Sequence, residues 1–365
     1  MANMNIKTPK FFPDLISYHR ARGSAIGTVT ATGGSGATAT RGLQTGTAAE
    51  LLDLRPLNLV DFDTSGDTDS QVLTNFIFST ASYRQNFVAI LNHNLTTAAG
   101  KIRVFAGNES TDITAVDGTN ADTGDVNWGT IVDAGGVVEV VNADTITKAA
   151  DDKSVVIEPG TDGTTIFTFT EQNLRYWAVQ FEGSTGGSGA DTDETWGATD
   201  LSVGGIMIGE AYSMPHASDL SVKRSIIYDA VKIQESVGGQ RFANATSFGR
   251  TASTASKSPF ALGTNPQLTH GGRLAYDMNF SFLNSTDVMP DEYATLDFDD
   301  DAVVEDVWNM VDGPHRPFIF TVDDTSLGNN AESEYIFARF AQDSLNMTQV
   351  ANDVWNISMR IEEEF

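Results

Sequence analysis

Asp61-Phe62-Asp63-Thr64-Ser65-Gly66-Asp67-Thr68-Asp69 sets oxygen-bearing side chains at alternate positions with glycine at the sixth, the opening of a Ca²⁺-binding loop. An EF-hand needs a glutamate at its twelfth position, and Val72 stands there. A Ca²⁺ site of another kind on Asp61, Asp63, Asp67 and Asp69 stays open beside the plainer reading of a polar turn. Asp297, Asp299, Asp300 and Asp301 form a second cluster, read as negative charge placed ahead of a helix N-terminus, where the backbone dipole favours it. Neither cluster is assigned to a metal. Among 49 acidic residues, carboxylate pairs of the type that cleave glycosides arise by chance and carry no signal. A Gly-x-Ser-x-Gly elbow and a His-Glu-x-x-His helix are both missing, and the Gly33–Gly36 run lacks the Lys-Ser/Thr of a phosphate-binding loop. Cysteine is absent, which removes thiolate nucleophiles, thiolate metal sites and disulfides. The expectation is a protein that is not an enzyme and has no catalytic residue, cofactor or metal.

Two tryptophans invite a different chemistry. Trp128 and Trp196 lie in Gly/Asp-rich loops, next to Gly129 and Gly197, where an indole could serve a partner surface or a glycan as readily as a core. Trp177, Trp308 and Trp355 fall within apolar patterns and are read as core.

The chain has 365 residues, 40% of them hydrophobic, enough for two domains with normal cores. Twenty-two basic against 49 acidic residues give a net charge of −27, which argues against an outer nucleic-acid-binding surface. No run approaches the roughly 18 apolar residues of a membrane span. The opening MANMNIKTPKFF has no apolar signal region, so synthesis in a cytoplasm is expected, with no membrane insertion.

These residues must be positioned mainly by strands. Short runs rich in Thr, Val, Ile and Phe, separated by Gly, Asn, Asp and Ser, predict a mainly β protein. An N-terminal β-sandwich or jelly roll is expected over residues 22–214, with strands at Ala25–Thr32, Asn86–Leu91, Lys101–Ala106, Thr164–Thr170, Tyr176–Phe181 and Ser202–Gly209. Ser70–Phe78 reads weakly as a helix and equally as a strand. Pro215 suits a boundary, and residues 215–365 form a second β domain. There Val303, Val304, Val307, Trp308 and Val311 recur at helical spacing, and Gly313-Pro314 ends the helix. The apolar stretches Pro317–Val322, Tyr335–Phe340 and Val354–Ile361 follow as strands, the last ending in Glu362, Glu363 and Glu364. Between Ser225–Ile233 and Gly272–Phe282 runs a polar arm near 247–269, long enough to reach a neighbouring subunit, with Arg250, Lys257 and Phe260 as contacts. Residues 1–21 form an N-terminal arm with local basic charge, expected to dock on an acidic neighbour.

Phe87–Leu95 (FVAILNHNL), followed by Lys101–Phe105 (KIRVF), resembles a galectin- or discoidin-like sandwich segment of tailed-phage structural proteins. The second domain, with its Gly-rich turn at Val237–Arg241, long strand, helix, GPHRPFIF and closing MRIEEEF, resembles the tail-tube-like fold of distal tail proteins and tail adaptors. The resemblance implies a virion structural protein of the tail tip or baseplate: a cyclic, sixfold homo-oligomer joining the tail tube to tip or receptor-binding proteins, with DNA only passing through its channel. A galectin-like reading makes His93 and Asn94 sugar ligands beside Trp128 and Trp196. The structural alternative is a turn whose Asn and His side chains bond the backbone. A carbohydrate- or receptor-binding module for host attachment at the tail periphery, or a head decoration protein, are the competing assignments.

Overall fold

The computed structural model describes residues 6–23, 28–32, 43–68, 71–78, 84–113, 125–185, 195–227, 231–245, 260, 273–290, 303–328 and 334–364. The N-terminal segment forms β1 (Lys10–Phe12) and α1 (Leu15–Ala21). The next stretch contains β2 (Thr28–Thr32), β3 (Leu43–Thr45), β4 (Val60–Phe62), β5 (Gln71–Ile77), β6 (Gln85–His93) and β7 (Gly100–Gly107). After α2 (Trp128–Asp133) come β8 (Val137–Val141), β9 (Thr145–Lys148), β10 (Val155–Glu158), β11 (Gly163–Gln172), β12 (Tyr176–Gly183) and β13 (Leu201–Gly209). The C-terminal half holds β14 (Tyr212–Ser213), β15 (Lys223–Ile227), β16 (Val231–Glu235), β17 (Arg241–Ala245), β18 (Arg273–Leu283), α3 (Ser285–Val288) and α4 (Val304–Met310). It ends with β19 (Phe318–Thr321), β20 (Tyr335–Phe340), β21 (Met347–Ala351) and β22 (Val354–Glu363).

The protein is mainly β, as its composition predicts. Two antiparallel sheets of six strands, β2-β5-β12-β7-β10-β9 and β3-β4-β13-β6-β11-β8, share one core. Alternation decides which side chains enter it. Phe76, Ile102, Val104, Val179 and Phe181 come from the first sheet, and Phe62, Val88, Ile90, Phe167 and Val203 from the second. Of the Ser70–Phe78 stretch, Gln71–Ile77 is a strand for this reason, with Val72 and Phe76 buried in that core.

The outer face of the second sheet is apolar too: Phe87, Ala89, Leu91, Ile166 and Met207 pack on Phe12, Ile319, Tyr335 and Phe337 of a third sheet. That third sheet runs β14-β1-β19-β20-β22-β18-β15, with β21 beside β22. Its opposite face buries Phe318, Phe320, Phe340, Met359 and Ile361 with Val304 and Val307 of α4. The protein is therefore a stack of three sheets, the third buried on both sides around β1, β19 and β20. Near-continuous apolar runs such as FIFT and YIFARF are what such strands require.

The N-terminal arm is the main correction. Its docking site is the chain's own third sheet, where β1 lies between β14 and β19, pairing Phe11 with Tyr212 and with Phe320. The cause is period-two alternation: Phe11 enters the core beneath α4, and Phe12 enters the core between the second and third sheets. Leu15 and Ile16 of α1 then enter the sandwich core. Gly209 lets this crossing sit close, since a Cβ there would lie 2.3 Å from the Pro13 carbonyl oxygen.

Phe12→Ala should cost about 3–5 kcal/mol. Sandwich and C-terminal sheet should still melt together in calorimetry, because Phe11 and α1 keep them joined. Two separated transitions in the wild type would contradict this shared-core description.

Candidate functional site

The NHNL motif at the end of β6 is wholly engaged in structure. Asn92 adopts a positive φ of 49°, and its Nδ2 donates to the Pro56 carbonyl at 2.7 Å. His93 is buried; its Nδ1 accepts from the Leu95 N–H at 3.3 Å. That places the ring proton on Nε2, which donates to Thr165 Oγ1 at 2.7 Å. Thr165 in turn donates to the Asn142 carbonyl, and the Asn142 amide grips Thr161. Asn94 extends the ladder with its side chain, donating to the Asp200 carbonyl and accepting from the Ser202 N–H, both at 2.8 Å. Burial pushes the His93 pKa down to about 4. A neutral, buried imidazole tied on both nitrogens holds the turn and offers nothing to a sugar.

Trp128 and Trp196 need the same correction. Trp128 opens α2, behind an Asn127 cap whose Oδ1 accepts from the Thr130 N–H at 2.9 Å. Its ring is buried against Phe169 and Trp177, at centroid distances of 5.3 and 6.4 Å. Trp196 closes the other end of the sandwich, and its backbone N–H donates to the Asp67 carbonyl at 2.9 Å. Its ring fits only because residue 100 is glycine: a Cβ there would stand 2.5 Å from the indole. Loop composition suggested exposure for both, but their large apolar area pulls each loop into the core.

Phe260 is likewise buried, its ring centroid 6.1 Å from that of Tyr335 in the core between the second and third sheets. It packs inside its own subunit and is withdrawn as a contact to a neighbour. Arg250 and Lys257 lie outside the described residues, as do Asp69 and the cluster from Asp297 to Asp301. Asp61 accepts from Ser202 Oγ at 2.6 Å. Among the described residues, no three His, Asp or Glu side chains gather as a metal site.

The strongest polar constellation was missed by sequence reading and sits at the N-terminal crossing. The buried Asp14 carboxylate caps α1 by accepting from Ser17 N–H at 2.7 Å and Ile16 N–H at 3.3 Å. It also accepts from the Ile208 N–H of β13 at 3.2 Å, joining helix to sandwich. Burial pushes its pKa up to about 6, against the pull of those hydrogen bonds. In the first turn of α1, Arg316 donates to the Ser17 carbonyl, and it also donates to the Met310 carbonyl of α4, each at 2.7 Å. Its ion pair with Asp312 at 2.6 Å completes the clamp. Pro13-Asp14 before an apolar run was the available signal, a helix N-cap.

A second buried group lies on β7 and β12, where Lys101 and Arg103 meet Glu182 at 3.2 and 3.1 Å. Paired charges across neighbouring strands fix register, and removing one partner of a buried pair is costly.

Comparison with family models finds no match, and comparison with curated proteins and with solved structures finds none either.

Trp128→Ala and Trp196→Ala should each cost about 3–5 kcal/mol and leave glycan binding unchanged on an array. A selective loss of glycan signal in a variant of normal melting temperature would contradict the burial. For acid stability, His93 has a folded pKa below its unfolded value of about 6.5. Its contribution is therefore lost as pH falls from about 6.5 towards 4, by about 3 kcal/mol. Asp14 acts oppositely: its folded pKa exceeds the unfolded one, so protonation from about pH 6 down to 4 favours the folded state. Asp14→Asn should steepen the acid-side loss measured by urea titration, and His93→Gln should flatten it.

Proposed function

We propose that this chain is a structural subunit of a tailed-phage virion, working by assembly, without catalysis, at the tail tip. The observation that carries the reading is the fusion of a two-sheet sandwich to a third sheet in one body. The order of elements in that third sheet supports it: long strand, helix, apolar strand, then a closing pair, as in tail-tube-like domains. The third sheet also ends on an open strand, β15, which among the described residues pairs only with β18. An open edge is a template for pairing with another chain, and a ring of identical subunits removes such edges by closing on itself.

In this reading the third sheet forms the ring around the channel, and the sandwich decorates it and carries neighbouring tail proteins. The net charge of −27 suits a channel through which DNA passes without sticking. The galectin- or discoidin-like character of the sandwich belongs to the same proposal, as a scaffold, since His93, Trp128 and Trp196 are buried and the Asn94 side chain is hydrogen-bonded to Asp200 and Ser202.

Electron microscopy of the purified chain tests this directly. A closed, six-membered ring is the expected particle. A stable monomer at high concentration would favour a decoration protein, and a trimer would favour a receptor-binding fibre.

A further inference from the structure

Strands β16 and β17 form a two-stranded sheet separate from the three larger ones. Every residue from 233 to 242 is exposed, with Val237 fully open at the turn. Ile233 is 65% and Phe242 55% exposed. Ile233 pairs with Ala243 and Phe242 with Gln234. Side chains at cross-strand partners share a face and neighbours alternate, so Ile233 and Phe242 stand on opposite faces of the hairpin. Such a hairpin is marginal in water on its own, and apolar groups on both faces suit insertion between two surfaces.

Charge identifies the occupant. Residues 223–245 hold four bases (Lys223, Arg224, Lys232, Arg241) and two acids (Asp229, Glu235), a local +2 in a chain of net −27 that leaves −29 on the remainder. Arg241 meets Glu235 within the hairpin at 3.4 Å, and Lys223 meets Asp277 at 3.8 Å, all four side chains exposed. A cationic, two-faced apolar projection complements the acidic body that every copy of this chain presents. A polyanion such as DNA would meet the same cationic segment but be repelled by the remainder.

We propose that the Lys223–Ala245 segment is the grip by which one copy of this chain inserts into the acidic surface of a second copy. The proposal rests on the assembly reading and names the surface responsible for it.

The full-length chain with a photo-crosslinking phenylalanine analogue at position 242 should, on irradiation under assembling conditions, give a covalent dimer. The joined peptides should come from an acidic region of the same sequence. Lys223→Glu combined with Arg241→Glu, and separately Phe242→Ser, should raise the dissociation constant of self-association at least about tenfold. Circular dichroism should not move, and melting temperature should fall only slightly in the charge variant, because the ion pairs lost, Lys223–Asp277 and Arg241–Glu235, lie at the surface. Rings that form without cross-linking at 242, and in the variants as in the wild type, would overturn the grip and leave the assembly reading standing. A wild-type chain that stays monomeric would overturn both. Retardation of duplex DNA that depends on Arg241 would also overturn the grip.

Discussion

The fold depends on one short crossing, from Lys10 to Tyr18, where a strand buried on both faces turns into a capped helix. Three cores meet there because adjacent residues point in opposite directions: Phe11 beneath α4, Phe12 between the second and third sheets, Leu15 and Ile16 in the sandwich. Asp14 makes the turn between them and would be costly if left unbonded, so its three backbone donors fix the geometry. Arg316 ties the first turn of the same helix to α4. The first residues of the chain thus join the halves that a reading by composition separates near residue 214.

Much of the scaffold was legible because period-two alternation is a local property. NFVAIL, KIRVFA, TTIFTFT and YWAVQF are strands as expected, and the valine pattern at 303–311 forms α4 over Val304–Met310. Burial of a whole element by a distant partner leaves no local mark. KFF before a proline gave no hint that it would lie between two strands about 200 and 300 residues further along the chain, Tyr212–Ser213 and Phe318–Thr321. Strands β8, β9 and β10 escaped notice for a related reason: they are short, and β9 alternates only between exposed and half-buried residues.

The candidate site was less legible than the fold. His93, Asn94, Trp128 and Trp196 have the residue types of a sugar site, and each is committed to packing or hydrogen bonding within the sandwich. Loop composition overstated their exposure because it ignores the area an indole gains on burial. The chemistry left at the surface is of another sort: an acidic body, an open strand edge, and a cationic hairpin with apolar side chains. A rigid body with that surface is suited to holding neighbours in place, which is the sense of the assembly proposal.

Rigidity of the whole subunit is the claim on which the rest stands, and hydrogen exchange at the crossing measures it most directly. The amides of Phe11, Phe12 and Ile208 should exchange only through global unfolding, at the rate of Val179 in the sandwich core and with the same denaturant dependence. Exchange of Phe11 and Phe12 through a low-energy local opening, while Val179 stays protected, would contradict the account and return the N-terminal segment to the status of a loose arm.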